Sequence, residues 1–148
     1  LAYQIKSNNT ADLSQYLVVQ DLIKKGWVVL FPSSRDTVYD LVIEKITSNG
    51  NRVFKTFQIK TLKNNSFKTN NRGSSKGKER TSINGNIRYS YSYADEKIDW
   101  MVGVNHETGE IYYYPLSVYK HYDNINVNQV KSKEFEINDG MVNKRKRK

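Results

Sequence analysis

Asp40, Gln58 and Lys60 are three polar residues set in otherwise apolar, β-branched segments, YDLVIE and FQIKT. They carry a carboxylate, an amide oxygen and an ammonium group, the set that metal-assisted hydrolysis of a phosphodiester calls for. A hard cation such as Mg²⁺ takes oxygen ligands and stabilises charge on a phosphoryl group. Asp40 and the Gln58 amide can each offer one oxygen, and the backbone carbonyl of Ile59 a third. Lys60 can orient or deprotonate the attacking water, or stabilise the crowded transition state. The bland alternative is that an Asp at the start of one strand and a Gln and Lys at the end of another are ordinary residues of a solvated face.

Residues 27–63 must bring these groups together. The apolar run at 27–31, WVVLF, reads as a strand buried on both faces and stopped by Pro32. Residues 39–46 read as the next strand, Ser48-Asn49-Gly50 as a turn and residues 52–61 as the antiparallel partner. Directly opposed residues share a face, so Asp40 joins Gln58 and Lys60 only if paired residue numbers sum to an even value. A two-residue Asn49-Gly50 turn gives an odd sum and puts Asp40 on the wrong face. A site therefore requires a three- or five-residue connection, or a bulge, with Gly50 suited to a left-handed position.

Upstream, Leu13, Tyr16, Leu17, Val19, Leu22 and Ile23 recur at helical spacing and predict a broad apolar face on a helix over 10–25. Asn8, Asn9 and Thr10 are candidate caps, Asp12 suits the positive end of the helix dipole, and Gly26 can close the helix.

Residues 62–86 change character: Lys63, Lys68, Arg72, Lys76, Lys78 and Arg80 stand among Asn, Ser, Thr and Gly, with Glu79 the only acid. So little apolar material reads as a flexible arm, either a plain loop or a segment laid along phosphates, with Asn70 and Asn71 able to reach base edges and Arg88 continuing the charge. Residues 87–93 alternate large and small, as a strand with tyrosines on one side; these could stack or simply close the core. Residues 98–104 and 110–114 form a hairpin about the turn at 105–109. Pro115 could open a short helix through Tyr119 at its first position. Residues 133–137 could form an edge strand, and the block at 141–148 reads as a solvated basic tail.

A chain of 148 residues supports one compact domain, here taken as 1–148 with the basic insertion at about 62–92. It holds 24 Lys and Arg against 15 Asp and Glu, a formal charge of +9, which favours a polyanionic partner and nucleic acid first. The absence of cysteine excludes disulfides, thiolate metal sites and a cysteine nucleophile. With neither a run of about 18 apolar residues nor a basic-then-apolar leader, a soluble cytoplasmic protein without membrane contact is expected. A His-based nuclease site would have to use Asn105 and His106, but those residues read as a hairpin connection.

Four segments, DLIKKGWVVLFP, YDLVIE, FQIKT and IDWMVGVNHETGEIYYYPL, together resemble the PD-(D/E)XK nuclease superfamily. The likeness is greatest to its QxK subgroup, which includes homing endonucleases encoded in bacterial group I introns and relatives of archaeal Holliday-junction resolvases. It covers most of residues 10–120. The resemblance implies a restriction-endonuclease-like α/β core, a mixed sheet of about five strands flanked by helices. It also implies Mg²⁺ at Asp40 and Gln58, with Lys60 activating water.

Counting back from Gly26, Gln15 stands where the family usually carries a Glu that supports the metal. An amide there weakens metal binding, whether as natural variation or as a block to cleavage. The distance from Pro32 to Asp40 leaves Asp36 as a second-choice carboxylate. The function expected is site-specific cleavage of double-stranded DNA by a homing endonuclease. The rivals are a junction resolvase and a catalytically silent DNA-binding protein. One site cuts one strand, so a homodimer or homotetramer is expected, each copy reading a half-site.

Overall fold

The computed structural model describes residues 6–34, 37–72, 78–81 and 87–133. Helix α1 spans Lys6–Lys24, four residues earlier than its caps suggest, since nothing at 6–9 is a Gly or Pro that would stop a turn. Its C-terminus is a Schellman motif. Gly26, at φ +89°, donates to the Ile23 carbonyl at 2.9 Å, and Trp27 donates to Leu22 at 3.1 Å. The buried stripe is narrower than the apolar pattern predicts: Val18 and Leu22 are sealed, whereas Leu13, Tyr16 and Ile23 stay exposed.

The strands that follow are β1 (Val28–Leu30), β2 (Leu41–Ile46), β3 (Arg52–Thr61), β4 (Ser66–Lys68), β5 (Asn70–Arg72), β6 (Lys78–Thr81), β7 (Ile87–Ser92), β8 (Trp100–Val104) and β9 (Ile111–Pro115). A single helical turn, α2 (Leu116–Tyr119), and β10 (Asn124–Asn126) complete the described chain. Pro115 is the N-cap of α2 rather than its first helical residue.

The central sheet has the order β1-β2-β3-β8-β9. Only the β3–β8 pair is parallel, so the sheet is mixed, as expected. Against one face pack Val18 and Leu22 of α1, with Trp27, Leu41, Ile43, Phe57, Trp100, Val102, Val104 and Tyr113. Behind the other lies a second core of Phe67, Tyr93, Ile98, Met101, Tyr114, Tyr119 and Ile125, closed by α2 and the β4–β10 pair. The Tyr119 hydroxyl fastens this second core by reaching the Tyr93 carbonyl at 3.0 Å and that of Ile98.

Two further expectations are corrected. Residues 27–31 are not buried on both faces: β1 pairs with β2 alone and forms the sheet edge, leaving Val28 54% and Leu30 39% exposed. The basic insertion is not an irregular arm. It contributes a separate antiparallel sheet, order β5-β7-β6, whose strands are joined by backbone hydrogen bonds that a polar sequence does not advertise. The edge strand expected at 133–137 lies outside the described residues save Lys133, as does the tail at 141–148. Among the described residues no helix is long and apolar enough to cross a membrane.

Candidate active site

Parity of the β2–β3 hairpin decides whether a site exists. The pairing runs from Leu41 opposite Phe57 to Ile46 opposite Arg52, an even sum throughout. Thr47 and Asn51 close the ladder at 2.7 Å, and Gly50, at φ +84°, donates to the Thr47 carbonyl at 2.9 Å. The connection is thus the three residues Ser48-Asn49-Gly50. One step before Leu41 and just outside the ladder, Asp40 donates its backbone N–H to the Phe57 carbonyl at 2.8 Å. Gln58 and Lys60 therefore share a face of β3, and Asp40 lines one cavity with both.

Here β2 ends and β3 runs on, so its edge is open from Gln58 to Thr61. The Asp40 carboxylate fills the gap: its Oδ2 accepts the Ile59 N–H at 2.8 Å. A strand residue points its N–H and C=O to the same side, so the Ile59 carbonyl faces this opening as well. A cavity of about 330 Å³ occupies the open edge, lined by Asp40 and residues 58–61, with Ala11, Asp12, Ser14 and Gln15 of α1. Ser14, itself buried, shares a 2.7 Å hydrogen bond with the Thr61 hydroxyl and pins this turn of α1 to the end of β3.

Burial pushes the Asp40 carboxyl above its ordinary range, against the lowering pull of the Ile59 N–H and the Lys60 charge. Burial also lowers Lys60, against the raising effect of Asp40. The Lys60 ammonium lies 4.9 Å from the centroid of the Tyr93 ring, a cation–π contact that seats it over the second core.

Among the described residues no three His, Cys, Asp or Glu form a metal cluster. The oxygens at the cavity include two carboxylates, Asp12 and Asp40, two side-chain amides, Gln15 and Gln58, the hydroxyls of Ser14 and Thr61, and the Ile59 carbonyl. Hard, neutral-to-anionic oxygens of this kind suit Mg²⁺ and offer nothing to a thiophilic metal.

The structure gathers Gln15, Asp40, Gln58, Ile59 and Lys60 around one cavity. It adds Asp12, which the sequence alone assigns to the helix dipole. The signal for a different role is its three-residue spacing from Gln15, which places both on one helix face. Asp36 lies outside the described residues.

The proposed DNA-binding residues stand apart. Lys63 and Lys68 are exposed beside β4. The register of the small sheet puts Asn70, Arg72, Lys78, Arg80 and Arg88 at positions sharing one face, and Asn71 on the other with Glu79, Tyr89 and Tyr91. Lys76 lies outside the described residues. Asn105 is engaged in its own turn, its Oδ1 accepting the N–H groups of Glu107 at 3.1 Å and Thr108 at 3.2 Å.

No curated protein matches the chain. Among solved structures it is similar to a bacterial homing endonuclease, I-Ssp6803I, at 19% identity and a TM-score of 0.64, over 88% of this chain and 84% of that one. The sequence profile describing PD-(D/E)XK endonucleases matches residues 5–146, nearly the whole chain. A mixed sheet with Asp40 at the start of one strand and the Gln58-Ile59-Lys60 tripeptide on the next accords with that match, and the chain belongs to the PD-(D/E)XK endonuclease family.

Proposed function

We propose that the chain is a Mg²⁺-dependent, site-specific endonuclease of double-stranded DNA, of the homing type. The observation that carries the reading is the convergence of Asp40, Ile59 and Lys60 at the open edge of β3, within one cavity. Asp40, the Gln58 amide oxygen and the Ile59 carbonyl would hold the cation. When bound, Mg²⁺ supplies positive charge at the scissile phosphate and helps recruit the attacking water. Lys60, its proton loosened by burial, orients that water or takes its proton, and as an ammonium it donates to phosphate oxygens.

The basic positions along one face of the β5-β7-β6 sheet support a duplex substrate, since a β-ribbon fits the major groove and Arg and Lys neutralise flanking phosphates. A single cavity accounts for one strand, so two copies act on a duplex, with a dimer or tetramer as the working unit. The similarity to a homing endonuclease supports a long, specific target.

Incubation with a library of duplex DNA and Mg²⁺ tests this directly. Discrete cuts are expected from the wild type and none from Asp40→Ala or Lys60→Ala; cutting that persists in both variants removes the site. A second reading, a DNA-binding protein that no longer cuts, draws on the uncharged Gln15 in the cavity. Gln15→Glu separates the two: cleavage rises if the wild type is a weak enzyme and stays absent if it only binds.

A further inference from the structure

We infer that Asp12 supplies the second carboxylate of the metal site, a role that rests on the endonuclease reading above. The argument begins with charge. Two carboxylates, Asp12 and Asp40, and one ammonium, Lys60, line the cavity. The carboxylate of Asp40 and the ammonium of Lys60 balance in formal charge, so together they leave the open edge of β3 without net charge. Gln15 and Gln58 contribute dipoles only. A divalent cation gives up part of a strong hydration shell to bind, and uncharged ligands around a neutral centre recover little of that cost. Asp12 makes the cavity net negative, and among the described residues no acid besides Asp12 and Asp40 lines it.

Geometry agrees. Asp12 and Gln15 are three residues apart on α1, hence on one face, and the Ser14–Thr61 hydrogen bond at 2.7 Å holds the intervening turn against β3. The competing explanation, that Asp12 serves the positive end of the helix, loses force because α1 begins at Lys6 and Asp12 lies beyond its first turn, where that field fades. Among the described residues no cation pairs with Asp12, which is exposed at the cavity mouth. It can meet the ion directly or through one of the waters Mg²⁺ usually keeps.

The test measures Mn²⁺ binding to the full chain by calorimetry and by electron paramagnetic resonance, free and with an uncleavable duplex. The variants are Asp12→Asn, Asp40→Asn, and Glu107→Gln as an exposed control on a distant hairpin. Asp12→Asn is expected to weaken Mn²⁺ binding by roughly ten- to a hundredfold, the range that supporting residues command at metal sites. Its metal-free melting temperature stays unchanged, and Glu107→Gln binds as wild type does. Adding Gln15→Glu to Asp12→Asn restores affinity, because a carboxylate returns to the same helix face. Wild-type affinity in Asp12→Asn alongside loss in Asp40→Asn would overturn the inference and leave the site standing. No change in either variant, or no binding by the wild type under both conditions, would remove the metal site itself.

Discussion

The Asp40 carboxylate accepts the Ile59 N–H at 2.8 Å across the point where β2 stops and β3 continues. The same side chain that is proposed to ligate the metal therefore completes the backbone hydrogen bonding of the strand that carries Gln58 and Lys60.

This double duty separates two substitutions that both delete the charge. In Asp40→Asn the amide oxygen still accepts from Ile59, so the fold persists while cleavage and metal binding fall. In Asp40→Ala the N–H is left unpaired, adding a penalty of about 1–3 kcal/mol. Chemical denaturation checks the ordering, with Ala the less stable; equal stabilities would show that water satisfies Ile59 instead.

Asp40 and Lys60 both weaken the fold at neutral pH, and the signs follow from their shifts. Asp40 is raised, so the native state binds its proton more tightly. That cost is absent below the ordinary carboxylate value of 3.8, grows as pH rises, and is complete above the folded pKa. Lys60 is lowered, so its cost is complete below its folded pKa and fades as pH rises to 10.5. Each charge also supports the other, so removing one alone exposes the other to the full desolvation cost. The double variant Asp40→Asn/Lys60→Met is therefore expected to melt higher than wild type at pH 7, by about 2–4 °C per kcal/mol relieved. Thermal melts between pH 3 and 10 check this, and the difference should shrink toward both ends.

Gly103 tests how the second core supports Lys60. It pairs with Lys60 across the parallel β3–β8 ladder, and a Cβ there would lie 2.9 Å from Leu62 Cδ2 and from the Phe67 ring. Gly103→Ala must displace the ring that closes this core, at a cost of about 1–3 kcal/mol for overpacking. Stability should fall in denaturation, and kcat should fall with it as Lys60 loses its seat. Wild-type stability would show that Phe67 has room to move.

Deleting Asn49 probes register. A connection shortened to two residues favours the odd pairing, which turns Asp40 away from Gln58 and Lys60 and exposes Leu41 and Ile43, both now sealed. The variant should lose metal binding and unfold more readily, whereas Ser48→Ala, which preserves length, should do neither.

That hairpin is legible in the sequence because period-two patterning and turn parity are local constraints, and a functional face has to satisfy both. The exposure of Val28 and Leu30 is not, since an apolar tripeptide looks the same in a central strand and at an edge, and only the order of the sheet tells them apart. The role of Asp12 depends on where its helix starts: two residues after a cap at Thr10 it suits the dipole, whereas in a helix beginning at Lys6 it becomes a cavity residue. Of the β5-β7-β6 sheet, β7 shows in the alternation at 87–93, whereas β5 and β6 are hidden because they carry charge and amide groups where periodicity is sought in apolar ones.

The register of that sheet sorts Arg72, Lys78, Arg80 and Arg88 from Asn71, Glu79, Tyr89 and Tyr91, so its two faces should respond differently to substitution. If the basic face lies on duplex DNA, Arg72→Ala, Arg80→Ala and Arg88→Ala together should weaken binding and reduce the slope of log K against log salt by about 0.9 for each phosphate no longer neutralised. Asn71→Ala on the opposite face should change neither quantity. Weakening confined to a few target positions would mark these arginines as readers of base edges, each discriminating by about 1–3 kcal/mol, and weakening across all sequences would mark them as phosphate clamps. An unchanged salt slope in the triple variant would remove this face from the DNA interface and leave the exposed Lys63 and Lys68 to account for the affinity.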